Sequence, residues 1–275
     1  MSNSGTGRQI VIAVLLALLV FLTLVPILFM ILSSLKSNAQ ILGDFWALPS
    51  PARWSNYGAA FNSIWRYVLN TVYYAVSGSI GVIMLSALSG YLFAKKSFPG
   101  KNLLFFMMLA MMMIPSVLTL IPSYVLYKNM GLTNTPWAII ISSAAGGQVF
   151  GNFLCRTYMA GLPEELFEAA RMDGASEARV FAQIVLPLSL PILATLFIMQ
   201  SVGVYNDYIW PLLTIQDSSL QVISVGLTIF TKQFGITDMG PQFAAYAISS
   251  IPLLLIFTFG MKYYIQGMTQ GALKL

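Results

Sequence analysis

GLPEELFEAARMDGASEARVFAQIVLP, residues 161–187, decides how this chain is read. It lies in a polar stretch, 156–185, and its punctuation is that of ordered structure rather than of a linker. Pro163 suits a first helical position, and Glu164 and Glu165 follow in the first turn, where the helix dipole favours negative charge. The helix runs through Leu166, Phe167, Ala169, Ala170 and Met172 and stops at Gly174, a residue free to adopt the left-handed conformation that ends helices. Ser176 can cap a second short helix with Val180, Phe181 and Ile184 on one face. Pro187 and Pro191 follow. Two short amphipathic helices joined at a glycine make a rigid, exposed shape with an apolar side, which is a docking element. A hairpin lying on the membrane is the alternative, and Glu164, Glu165 and Glu168 oppose it because anionic headgroups would repel them.

On both sides of this loop the chain is apolar. Charged residues make up 8% of the 275 and the hydrophobic set 57%, against roughly 25% charged in soluble domains. So few charges cannot face water, and lipid is the solvent for much of the chain. A bilayer core needs roughly 20 apolar residues per helix. That ruler predicts six spans, at residues 10–35, 68–94, 103–126, 137–153, 186–213 and 243–265, within one transmembrane domain covering 1–275. The first is longer than a signal-peptide core of about 7–15 residues and no A-x-A site follows, so it reads as uncleaved. Lys95, Lys96 and Lys101 after the second span, and Arg156, Arg171 and Arg179 after the fourth, place those loops and both termini in the cytoplasm. Lys36, Arg53 and Arg66 oppose this from a longer loop of lower charge density. Trp46, Trp54, Trp65, Trp137 and Trp210 fall near outer span ends, as an aromatic belt would.

The inventory excludes several chemistries. There is one cysteine, Cys155, and no histidine, so an internal disulfide, imidazole metal sites and Ser-His-Asp triads are ruled out. Gly100-Lys101-Asn102 lacks the spacing and the Ser/Thr of a phosphate-binding loop. The net charge of +5 suits a positive cytoplasmic face, and no Lys/Arg cluster with aromatics suggests nucleic acid. Met111-Met112-Met113 points three ways on a helix and is packing material rather than a metal path. No metal or cofactor is expected.

Glu168-Ala169-Ala170-Arg171-Met172-Asp173-Gly174-Ala175, with Phe181, Ile184, Leu186-Pro187 and Pro191, resembles the EAA loop of ABC importer permeases. The similarity extends to the maltose-transporter type through Ser33-Ser34-Leu35-Lys36, Asn70, Gly90-Tyr91, Phe98-Pro99-Gly100, Ile114-Pro115, Pro122, Gly131-Leu132, Asn134-Thr135, Asn206-Asp207 and 267–272. The resemblance implies an all-α integral membrane protein of the MetI-like permease fold, with six transmembrane helices and a cytoplasmic coupling-helix loop. It also implies uptake of a mono- or oligosaccharide, with glycerol-phosphate-type solutes left open, across a prokaryotic plasma membrane, without catalysis by this chain. The implied partners are a second, similar permease subunit, two cytoplasmic ATP-binding subunits and an extracytoplasmic solute-binding protein. Glu165, Glu168, Ala169, Ala170, Asp173 and Gly174 would then meet the ATPase, and the external segment 214–242 could probe the receptor. A plain i,i+3 pair of Glu168 with Arg171 is the alternative for that residue.

Asp207 is the one carboxylate inside an expected span, where burial costs about 3 kcal/mol on insertion scales. With Tyr205, Asn206 and Trp210 it forms a set suited to sugar C–H faces and hydroxyls, and a helix cap is the other reading. An ion-coupled secondary transporter built on Asp207 is the rival function. It leaves the EAA loop unexplained.

Overall fold

The computed structural model describes residues 3–232 and 238–272, and every regular element among them is helical. The helices are α1 (Asn3–Ser34), α2 (Asn38–Gly43), α3 (Ser55–Lys95), α4 (Lys101–Met111), α5 (Ser116–Asn129), α6 (Pro136–Gly146) and α7 (Gln148–Ala160). They continue with α8 (Glu165–Met172), α9 (Glu177–Val180), a π-turn (Phe181–Val185), α10 (Leu186–Leu188), α11 (Leu190–Asn206) and α12 (Ile209–Thr214). A 3₁₀ turn (Ser218–Leu220), α13 (Ile223–Gly226), α14 (Ile229–Lys232) and α15 (Met239–Ala272) complete the order.

Three helices are long and apolar enough to cross a bilayer unbroken: Gly7–Ser34, Ser55–Lys95 and Met239–Tyr263. Three bent pairs pass the same test, giving six when each pair counts as one span. The bends differ from the straight runs expected at 103–126, 137–153 and 186–213, and two of the three fall at prolines. α4 meets α5 at 97°, where Pro115 forces its predecessor out of helical geometry. α6 meets α7 at 41° at Gly147. The segment Glu177–Leu188 meets α11 at 71° between Pro187 and Pro191, each of which removes a backbone donor. α3 begins well before the expected residue 68, at Ser55.

By packing the chain divides into two units, residues 1–65 with 227–251 and residues 66–226 with 252–275. In the first, α1 has none of its apolar window buried, so its side chains meet lipid or another chain. Its end is anchored. Asn56 Nδ2 donates to the carbonyls of Ser34 and Lys36 at 2.8 and 3.0 Å, and Lys36, itself buried, donates to Phe45 O at 2.9 Å. Ser37 and Gln40 form a capping box that starts α2.

The second unit is organised along α3. One apolar cluster gathers Tyr91, Cys155, Met159, Phe167, Val180, Val185 and Leu196, and the other gathers Tyr74, Tyr127, Ile139, Trp210, Ile215 and Val222. Tyr74 and Tyr91 are about 25 Å apart at 1.5 Å per helical residue, close to the thickness of a hydrocarbon core, about 30 Å. Between them, small residues bring helices together. A Cβ on Gly90 would stand 2.5 Å from Cys155 Cβ and 3.1 Å from Arg156 N. Polar side chains then bind helix to helix: Ser79 with Ser201 at 3.0 Å, Gln200 Nε2 to Ser143 Oγ at 2.9 Å, and Ser86 Oγ to Gln148 Oε1 at 3.1 Å. Lipid gives helices no hydrophobic drive to associate, so close backbones and interhelical hydrogen bonds carry the packing.

Candidate functional site

The polar loop is folded down to its last turn. α8 starts at Glu165, two residues after Pro163, and ends in a Schellman arrangement. Gly174 holds φ +76°, its N–H donates to Arg171 O at 3.0 Å, and the N–H of Ala175 donates to Ala170 O at 3.0 Å. Ser176 Oγ accepts from Arg179 N at 3.4 Å and starts α9. Phe167, Val180 and Val185 are fully buried. The Tyr91 ring stacks on Phe167 at 6.3 Å and leans on Phe181 at 5.7 Å.

The other side of α8 faces out. Glu165, Glu168, Ala169 and Met172 follow the i, i+3, i+4, i+7 spacing of one helical face, and all four are exposed, Met172 at 88%. Asp173 and Gly174 are exposed as well, while Ala170 turns partly into the core. The i,i+3 pair of Glu168 with Arg171, the alternative reading for that residue, does not form. Arg171 lies instead 3.9 Å from Glu164 and 3.5 Å from Glu177. Glu168 has no ion pair among the described residues, so its carboxylate is available to a partner.

An ionic frame that the sequence reading did not assemble holds this loop to the end of α3. Lys95 Nζ donates to Leu162 O at 2.7 Å, meets Glu164 at 3.1 Å and lies over the Phe167 ring at 4.9 Å. Lys96 pairs with Glu177, whose other oxygen accepts from Tyr91 OH at 2.8 Å. The hydrogen bond from Lys96, and then that from Tyr91, hold the Glu177 carboxyl below the usual range. Lys95 and Lys96 entered the sequence reading only as topology markers, and nothing in one dimension pairs residues about 70 to 80 positions apart.

The aromatic and polar set near Asp207 is divided between the interior and the surface. Asp207 ends α11 in extended geometry, and its Oδ1 accepts from Trp210 N at 3.3 Å, which starts α12. The expected unbroken run to residue 213 is thus interrupted at the carboxylate. Tyr205 and Trp210 are interior, and Asn206 is exposed with its Nδ2 bonded to Val202 O at 2.9 Å. Trp210 Nε1 donates to Ala138 O at 2.9 Å, and its ring meets Tyr127 edge-on at 5.1 Å. Of the five tryptophans read as a belt, Trp46, Trp54, Trp65 and Trp137 are exposed and Trp210 is a core residue. Asn70 and Asn134 hold the following loop. Asn70 Nδ2 donates to the carbonyls of Ser219 and Gln221, and Asn134 Oδ1 accepts from the N–H groups of Gln216 and Asp217. Part of the external segment 214–242, namely 233–237, lies outside the described residues, as do 273–275 and the side chains of 267–272.

Helices broken at prolines and at a glycine, tied by small residues and polar bridges, and carrying one ordered polar loop, define a helical membrane protein with several spans. Residues 83–270 match the family of binding-protein-dependent transport system inner membrane components, and the chain belongs to that family. The diacetylchitobiose uptake system permease protein NgcG of Streptomyces coelicolor is 32% identical over 94% of this chain and 87% of its own length. The probable ABC transporter permease protein YurM of Bacillus subtilis is 32% identical, covering 90% of this chain and 83% of that one. The arabinooligosaccharides transport system permease protein AraQ of Bacillus subtilis is 28% identical over 97% and 96%. A solved bacterial ABC transporter involved in the import of the acidic polysaccharide alginate has a chain of the same fold, with a TM-score of 0.85 at 24% identity over 96% of this chain and 99% of that one. The family assigns the chain to binding-protein-dependent transport in the inner membrane, not to ion-coupled transport through Asp207.

Proposed function

We propose that this chain forms half of the translocation pathway of an ABC importer for a mono- or oligosaccharide and couples that pathway to ATP hydrolysis in a separate subunit. The outward face of α8 carries the reading. Glu165, Glu168, Ala169 and Met172 are displayed on a helix whose other side is locked into the core by Phe167. Such a helix moves as one body with the spans it is packed on, so force applied to the exposed face reaches α3 and α11. The names of NgcG and AraQ, both concerned with oligosaccharides, support the substrate class.

The assembly in this reading holds two permease subunits, this chain and a similar one, with two ATP-binding subunits inside and a solute-binding protein outside. The chain crosses the membrane six times with both termini cytoplasmic. ATP binding draws the two α8 docking elements together and shifts the population from inward-facing to outward-facing, and hydrolysis resets it. Tyr205, Asn206, Asp207 and Trp210 shape the outer end of the pathway, Asp207 by fixing the break between α11 and α12.

Reconstitution of the whole assembly with its receptor tests this. ATPase activity should rise when receptor and a cognate oligosaccharide are both present. Glu168→Ala should lower that stimulation while the complex still inserts. Unchanged stimulation in Glu168→Ala and Glu165→Ala alike would remove α8 from the coupling path.

A further inference from the structure

Arg156, in the second half of α7, is used by neither the loop nor the pathway. Its Nε is buried without a hydrogen-bond partner, and it makes no ion pair among the described residues. The guanidinium is held 3.9 Å above the ring of Phe105. It forms one wall of an open recess of about 500 Å³ whose other lining includes Ser97, Gly100, Lys101, Asn102 and Leu103. No carboxylate lines it. Lys101 is fixed by donating to Lys96 O at 2.7 Å, which leaves its remaining protons free. The start of α4 also faces this region. Gly100 occupies the N-cap at φ +78° without a side-chain hydrogen bond, and the first turn holds no acidic residue. Two fixed cations, an uncapped helix start and no competing carboxylate make a site for a compact anion.

The surroundings indicate which anion. Leu103, Phe106 and Met107 continue from the recess along α4, exposed at 66%, 66% and 57%. A ligand with a charged head and an apolar tail satisfies both parts. We propose that the recess binds a phosphate group, with Arg156 and Lys101 as its charged donors, and that the phosphate is the headgroup of an anionic phospholipid whose acyl chains lie along α4. Arg is suited to this by its planar fork of donors, whereas Lys contributes a point charge. The proposal goes beyond the transport reading and stands whether or not α8 couples to an ATPase.

The test is native mass spectrometry of the full chain, within its complex, released from nanodiscs of phosphatidylglycerol or phosphatidylcholine. Wild type should retain phosphatidylglycerol in preference, and Arg156→Gln with Lys101→Gln should lower retention about tenfold, the scale of one charge-assisted hydrogen bond. Arg156→Lys, which keeps the charge, should retain more than Arg156→Gln, and it serves as the control should the double variant fold poorly. In a parallel arm, inorganic phosphate is titrated into delipidated protein and the melting temperature followed. Stabilisation by phosphate that needs Arg156, without a preference for phosphatidylglycerol, would keep the phosphate site and overturn the lipid source. Equal lipid retention and equal phosphate response in wild type, Arg156→Gln and Arg156→Lys would overturn the site itself.

Discussion

Gly174 shows how much one residue can constrain a docking shape. At φ +76° an L side chain pays roughly 1 kcal/mol or more, so Gly174→Ala should loosen the α8–α9 junction by about that amount while leaving the spans in place. Gly174→Pro is harsher, because proline fixes φ near −65° and removes the N–H that bonds Arg171 O. Coupled uptake should be abolished while the protein remains at wild-type level in the membrane; uptake at the wild-type rate would count against the docking role. Trp210→Phe tests a different kind of residue. It keeps most of the ring volume but removes the indole bond to the Ala138 carbonyl. That carbonyl keeps its place in helix α6, so the loss is the net worth of one hydrogen bond, about 0.5–1.5 kcal/mol. A drop in melting temperature would place Trp210 in the core, and an unchanged melting temperature with weaker uptake would place it on the pathway. Gly174 was legible in the sequence because a glycine after a helical run has few other uses. Trp210 was misread as a belt residue because its distance from a span end is visible in the sequence, whereas its partner Ala138 belongs to another helix.

The loop and α3 form one mechanical element through Lys95, Lys96, Tyr91 and Glu177. Glu177 gives this frame a pH signature whose sign is fixed by its lowered pKa, caused first by Lys96 and then by Tyr91. The unfolded loop takes up a proton near the ordinary glutamate value of about 4.3, while the folded loop keeps its carboxylate ionised to lower pH. The frame's stabilisation is therefore complete above that value and is lost as pH falls from there through the folded value. Hydrogen-exchange protection of 164–185, corrected for intrinsic rates, should fall over that window in wild type. Glu177→Gln should be less protected at neutral pH and nearly flat across the window; parallel curves would mean the frame does not hold the loop. At this scale the sequence showed which elements exist and hid how they bend. Apolar runs register length and hydrophobicity, so 103–126 looked continuous although Pro115 turns it by 97°. The prolines were visible, but a proline inside a span kinks, breaks or is absorbed according to its neighbours.

For the whole molecule, orientation is the property from which the proposed assembly follows, and it rests on where α8 lies relative to the loop beyond α12. The two regions pack on α3 beside Tyr91, near its end, and Tyr74, near its middle, about 25 Å apart by helical rise. A single crossing, from Leu186 through α11, separates them along the chain. In the proposed topology they face opposite sides of the membrane, with the lysines around the end of α3 marking the α8 side as cytoplasmic. The native Cys155 has no exposed surface, so a new cysteine can be labelled over a silent background. Met172→Cys, at the exposed tip of α8, should react with a membrane-impermeant maleimide only after the membrane is opened. Gln216→Cys, exposed and engaged through its backbone rather than its side chain, should react in intact spheroplasts. Reversed labelling would invert the topology and remove α8 from reach of a cytoplasmic ATPase. Labelling of both from one side would mean that the segment through α11 turns back without crossing, and the count of six spans would fall with it. If the expected pattern holds, adding the ATP-binding subunits to opened membranes should protect Met172→Cys and leave Gln216→Cys unchanged, because only the α8 face would be covered.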